Sequence, residues 1–140
     1  RSWNDGMRSD DERAQLRQYI PSLIGTRSTK QIENRRAMMA MDWMIRTYAA
    51  AWLDRNPGLR LHAAALRAHP EIVDTAGLIS VLPIAVAAQT DADAAWAAAG
   101  DAAGDAARAA AWDALSPTVT ELQASAHALF DRMIRVGDES

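Results

Sequence analysis

The sequence predicts an all-α domain, a compact bundle of five or six helices with a long second helix at its centre. Three observations carry that prediction. Alanine fills 31 of the 140 positions, while glycine and proline together fill 12, and alanine is the strongest helix former. Helix-capping patterns recur along the chain, each followed by a helical apolar pattern. Only AGLISVLPIAVAAQ is rich enough in β-branched residues to suggest a strand, and a lone strand has nothing to pair with.

The elements follow in order. Residues 1–10, RSWNDGMRSD, read as a loose leader that Trp3 and Met7 can pin to the body. The helical domain then occupies residues 11–136, and residues 137–140 form a polar tail. Asp10 or Asp11 can cap a first helix running to Tyr19 or Ile20, where Pro21 disfavours continuation. Ser28, with Gln31 three positions on, opens a second helix that reaches Asn56 before Pro57–Gly58. It is about 42 Å long at 1.5 Å per residue. Ile32, Met39, Trp43 and Ala50 lie on one side of it, and Met38, Met41, Ile45, Tyr48 and Trp52 on others. A helix apolar nearly all round is a central one.

A third helix spans residues 59–69, with Leu59, His62, Leu66 and His69 on one face. Asp74 or Thr75 caps a fourth, kinked or restarted at Pro83. Thr90 with Asp93 opens an alanine-rich fifth, and Ser116–Pro117 opens a sixth that ends near Val136, before Gly137.

Composition excludes several functions. There is no cysteine, so disulfides, thiol chemistry and thiolate metal centres are out. HExxH, GxSxG and P-loop patterns are absent, as is the EF-hand loop. No metal and no cofactor are implied. No run of 18 uncharged apolar residues occurs, so no membrane span is expected. No signal-peptide pattern is visible, and a cytoplasmic location is the expectation. Residues 1–70 carry 12 basic against 7 acidic side chains, a net of +5, and residues 71–140 carry 3 against 11, a net of −8. Such halves can pack against each other, or the first can face an anion. Arg27, Lys30, Arg35 and Arg36 gather donors at the start of the second helix. Its apolar continuation does not suit a recognition helix, and nucleic acid is not expected as a partner.

Charges on a buried helix need partners. Arg35, Asp42 and Arg46 fall within about 40° of one another on the second helix, a set able to clamp a carboxylate or phosphate. An internal ion-pair network is the competing reading. Trp43, Tyr48 and Trp52 would supply an aromatic wall, with Glu33 and His62 as proton-transfer groups. No reaction signature accompanies them. The leading expectation is therefore a non-catalytic helical binding or interaction module, with self-association or a protein partner. The alternative is a small-molecule enzyme or ligand-binding protein with an interhelical pocket for a small anionic or apolar ligand, lined by Trp and Met beside the Arg–Asp–Arg set.

Overall fold

The computed structural model describes residues 14–26, 28–100 and 105–138, and every one of the elements there is helical. A 3₁₀ turn over Gln15–Tyr19 runs into one α turn over Ile20–Leu23, together α1. Pro21 sits in the first turn of that α segment rather than ending the helix, because the missing N–H there has no intrahelical partner to lose. Gly25, at φ 85°, supplies the left-handed residue after it. The caps expected at Asp10 and Asp11, and the contacts of Trp3 and Met7, lie outside the described residues.

The long second helix, α2, is built from three stretches: Lys30–Asp42, a π-helical segment Trp43–Ala49, and Ala50–Leu53. Its N-cap is Thr29, whose Oγ1 accepts from Ile32 N at 3.4 Å, one residue beyond the expected Ser28. Asn56 stops the chain by accepting from Gly58 N at 3.0 Å. A 3₁₀ turn, Pro57–Leu59, leads into α3, Arg60–Ala68. Asp74 caps α4, Thr75–Gly100, by accepting from Gly77 N at 2.8 Å. The last helix, α5, is Asp105–Asp138.

Two expected boundaries are absent. The helix passes straight through Thr90 and through Ser116–Pro117. Thr90 donates back to Val86 O at 3.0 Å, and Thr120 to Ser116 O at 3.1 Å. The same hydroxyls that can cap a helix start can bond into the preceding turn. Pro83 and Pro117 sit inside helices, each at the cost of one backbone hydrogen bond.

The second helix is central: it packs against α3 on one side and α5 on the other. Ala50 and Ala63 have no exposed surface at all, so small side chains let α2 and α3 approach closely. Around them Leu66, Ile72 and Val81 complete the core, with Ile45, Ala49, Leu53, Leu78 and Ile84 against it. Burial does not run all the way round α2, however. Met41, Met44 and Tyr48 form an exposed stripe, since α3 and α5 cover only two of its sides. On α5, Leu122, Leu129 and Val136 recur every seven residues and face inward.

Tyr19 anchors α1 to α5. Its ring lies edge-on to Phe130 at 4.8 Å and stacked on His127 at 5.5 Å. Its hydroxyl shares a hydrogen bond with His127 Nδ1 at 2.8 Å. Burial, then the nearby Asp131 carboxylate, pushes the Tyr19 phenol above its usual value of 10.0. The folded state thus favours the neutral phenol, a contribution complete below pH 10 and lost as pH rises through the higher folded value. Denaturation midpoints measured from pH 8 to pH 11 are expected to fall on the alkaline side, and Tyr19→Phe to flatten that fall. An unchanged slope in the variant would show that Tyr19 ionisation does not control it.

The exposed side of α4 is more apolar than the search for an uncharged run suggests. Thr75–Ala97 has a mean hydropathy of 1.3 and only 11% of its most apolar window is buried, so by length and composition it is able to cross a membrane. Asp91 and Asp93 interrupt the uncharged run without offsetting its apolar content. Its inner face is nevertheless committed to protein, because Leu78, Val81 and Ile84 belong to the core.

Candidate functional site

Two features stand out, a cationic cleft at one end of α2 and an uncovered apolar face on α4. The cleft encloses about 490 Å³. It opens between the first half of α2, the Glu71–Val73 segment after α3 and the last turns of α5. Arg35, Arg132 and Arg135 line it together with a single carboxylate, Glu71. Its apolar lining includes Met39, Ile72 and Val136. Among the described residues the ion pairs are Glu33–Arg36, Asp42–Arg46, His62–Asp91 and Asp54–Arg67, so none ties Arg132 or Arg135 to a carboxylate.

The Arg35, Asp42 and Arg46 set divides. Asp42 Oδ1 accepts from Arg46 Nη1 at 3.0 Å and from Ile72 N at 2.9 Å. Both side chains are largely buried, at 17% and 27% exposure. This carboxylate therefore ties α2 to the segment that walls the cleft. Arg35, nearly two turns earlier, is exposed and lines the cleft itself. Asp42 and Arg46 are not among the lining residues.

The aromatic side chains assemble, but elsewhere. Trp43 and Tyr48 have ring centroids 5.7 Å apart, and Tyr48 and Trp52 6.2 Å apart. Residues five apart on an α-helix point about 140° away from each other. The i→i+5 bonding of the π segment brings Trp43 and Tyr48 onto one side. Trp43 also donates to Ser125 Oγ on α5 at 2.9 Å, while Trp52 Nε1 is buried without a hydrogen-bond partner. None of these rings lines the cleft.

Glu33 and His62 have structural partners. Glu33 accepts from Arg36 Nη1 at 2.8 Å. His62 Nε2 lies 2.7 Å from Asp91 Oδ2, joining α3 to α4. His69 bonds Pro70 O and Ser80 Oγ. Among the described residues no group of three or more histidine, aspartate or glutamate side chains is arranged to hold a metal ion.

Sequence reasoning passed over two residues of the cleft, Arg132 and Arg135. A signal was present, since residues 71–140 contain only three basic side chains and these are two of them, three apart. It also passed over the α4 face. Ile79, Leu82, Val86 and Trp96 are exposed by 62%, 53%, 59% and 82%. The first three sit at i, i+3 and i+7, a stripe of helical period that the interior does not use.

No protein-family model matches this chain, and no curated protein or solved structure shows a significant likeness to it, so its function is read from its own residues.

Proposed function

We propose that this protein is a non-catalytic helical interaction module that associates with a second copy of itself through α4. The observation that carries the reading is the exposed row Ile79, Leu82, Val86. Monomeric proteins seldom leave contiguous large side chains of this kind in water. A three- and four-residue spacing is what helix pairing requires. From Thr75 to Thr90 no residue is charged, so two such faces meet without repulsion.

Antiparallel pairing about a two-fold axis near Leu82 suits the row. Ile79 then meets Val86 of the other copy, and Leu82 meets Leu82. Trp96 falls level with the segment before the other helix, where Val73 is itself exposed. A parallel arrangement would set Asp93 against Asp93, a like-charge contact. Insertion into lipid is the competing use of the same face, and the packed inner face of α4 weighs against it.

The chain lacks cysteine, which makes cross-linking clean. Under mild oxidation, Leu82→Cys is expected to form a covalent dimer, and a mixture of Ile79→Cys with Val86→Cys a mixed dimer. Sedimentation should show concentration-dependent dimerisation that Leu82→Glu weakens at least tenfold, about 1.4 kcal/mol. A protein that stays monomeric at high concentration, or floats with anionic vesicles in a Leu82-dependent manner without dimerising, would overturn the reading.

A further inference from the structure

We infer that self-association through α4 has a second part, in which Trp96 of each copy seats on exposed residues 70–73 of the other, and that this reciprocal anchor fixes the antiparallel direction. The inference rests on the pairing proposed above and names the residue that orients it. Area is the first reason. Ile79, Leu82 and Val86 supply three side chains per copy, whereas a stable interface buries about 800 Å² on each partner. So short a row needs further apolar surface beside it. Trp96 is 82% exposed, and an indole can bury about 150–250 Å². It stands fourteen residues after Leu82, two heptads along the same seam. A heptad on a straight helix drifts by only about 20°, so the indole extends the row instead of pointing away from it.

Direction decides what the indole meets. In an antiparallel pair about Leu82, the Trp96 backbone lies about 21 Å from the two-fold axis at 1.5 Å per residue, and its side chain leans back toward that axis. The other copy's α4 begins at Thr75, about 10 Å from the axis on the same side. Val73, two residues earlier, reaches at most about 7 Å farther. The indole therefore comes down on the segment before the helix. Pro70 and Val73 are both exposed there, Val73 by 65%. The segment is firmly held, because Ile72 is buried in the core and its N–H donates to Asp42 Oδ1 at 2.9 Å. The two acids of this stretch are engaged elsewhere. Asp74 accepts from Gly77 N at 2.8 Å, and Glu71 lines the cleft with Arg132 and Arg135. A fixed apolar patch and an exposed indole thus meet twice per dimer. Parallel pairing would set Trp96 against Trp96 and leave both Val73 side chains in water.

Sedimentation and disulfide capture together test the anchor. Trp96→Ala is expected to weaken dimerisation by about tenfold or more, as truncating a buried aromatic contact does, while Trp96→Phe recovers most of that loss. Val73→Ser should weaken it by a smaller factor, and should add little once Trp96→Ala is present, because the two side chains share one contact. Position 96 is exposed and lies in an alanine-rich helix, so Trp96→Ala should keep the helical circular dichroism of the parent. Under mild oxidation, at concentrations where the Leu82 row sustains the dimer, Trp96→Cys mixed with Val73→Cys should give a mixed disulfide dimer. Trp96→Cys alone should give none, since the two copies of position 96 lie about 42 Å apart along an antiparallel pair. A parent that dimerises in a Leu82-dependent manner but is indifferent to Trp96→Ala would overturn the anchor and leave the α4 pairing standing. A disulfide dimer of Trp96→Cys with itself would overturn the antiparallel direction and the anchor together. A parent that never dimerises would overturn the pairing itself, and the anchor with it.

Discussion

Replacing Arg36 with alanine is expected to cost about 3 kcal/mol of folding stability, among the larger losses available to a single side chain here. Arg36 is the only charged residue among the described ones that the fold buries. Its Nε donates to Met133 O on α5 at 2.8 Å, and its Nη1 donates to Thr26 O at 2.7 Å and to Glu33 Oε1 at 2.8 Å. One guanidinium thus joins α2, the turn after α1 and the last helix. Alanine would leave two backbone carbonyls without their donor, and hydrogen bonds to a charged group contribute roughly 1.5–3 kcal/mol each. Glu33 is half-exposed, so its share is a surface pair of about 0–1 kcal/mol. Urea denaturation of Arg36→Ala, Arg36→Lys and Glu33→Gln separates these contributions. Lysine keeps the charge but cannot span both carbonyls, so it should recover less than half of the loss. A loss below about 1 kcal/mol for Arg36→Ala would show that the two carbonyls find water instead.

The residue pattern made the helices legible and left the faces ambiguous. Capping residues, the Pro57–Gly58 break and the alanine content are local, and local physics settles them. Asn56 and Asp74 close their turns with their own side chains. The ambiguities lie where a tertiary choice decides. Thr90 offers the same hydroxyl to a cap or to the turn behind it, and nothing nearby in sequence selects between them. The π segment of α2 is likewise invisible to a count at 100° per residue. That count grouped Arg35 with Asp42 and Arg46, whereas Arg35 lines the cleft and the other two pair with each other beside the core. Arg36 lies three residues from Glu33, within local reach, but its bond to Met133 O, nearly a hundred residues away, has no local trace. The charge imbalance between the halves resolves partly in the same way. First-half arginines meet second-half backbone carbonyls, Arg36 at Met133 and Arg55 at Ala114.

Ile72→Ala is expected to cost about 3–4 kcal/mol, because it empties a site in the core. Ile72 is 1% exposed and lies against Ala50, Ala63, Leu66 and Val81. The space is closely filled: a Cβ placed on Gly77 would come within 3.4 Å of the Ile72 backbone and 3.6 Å of its Cγ2. A neighbour so constrained cannot collapse into the void, which places the loss in the upper part of the range for such truncations. Ile72→Val removes one methyl and should cost about 1 kcal/mol. Backbone and side chain of this residue are held by different partners, since its N–H donates to Asp42 Oδ1 while its side chain fills the core. Asp42→Ala should therefore cost about 2 kcal/mol by orphaning that N–H and the Arg46 guanidinium. A double-mutant cycle between Asp42→Ala and Ile72→Ala measures whether the tether and the packing support one another. A coupling of about 1 kcal/mol is expected, since once the side chain is gone the segment is freer to move and the tether holds less in place. Strict additivity would mean that Asp42 fixes only a local turn. With the coupling present, a carboxylate on α2 holds the segment after α3 in the position that lets the Ile72 side chain fill the core.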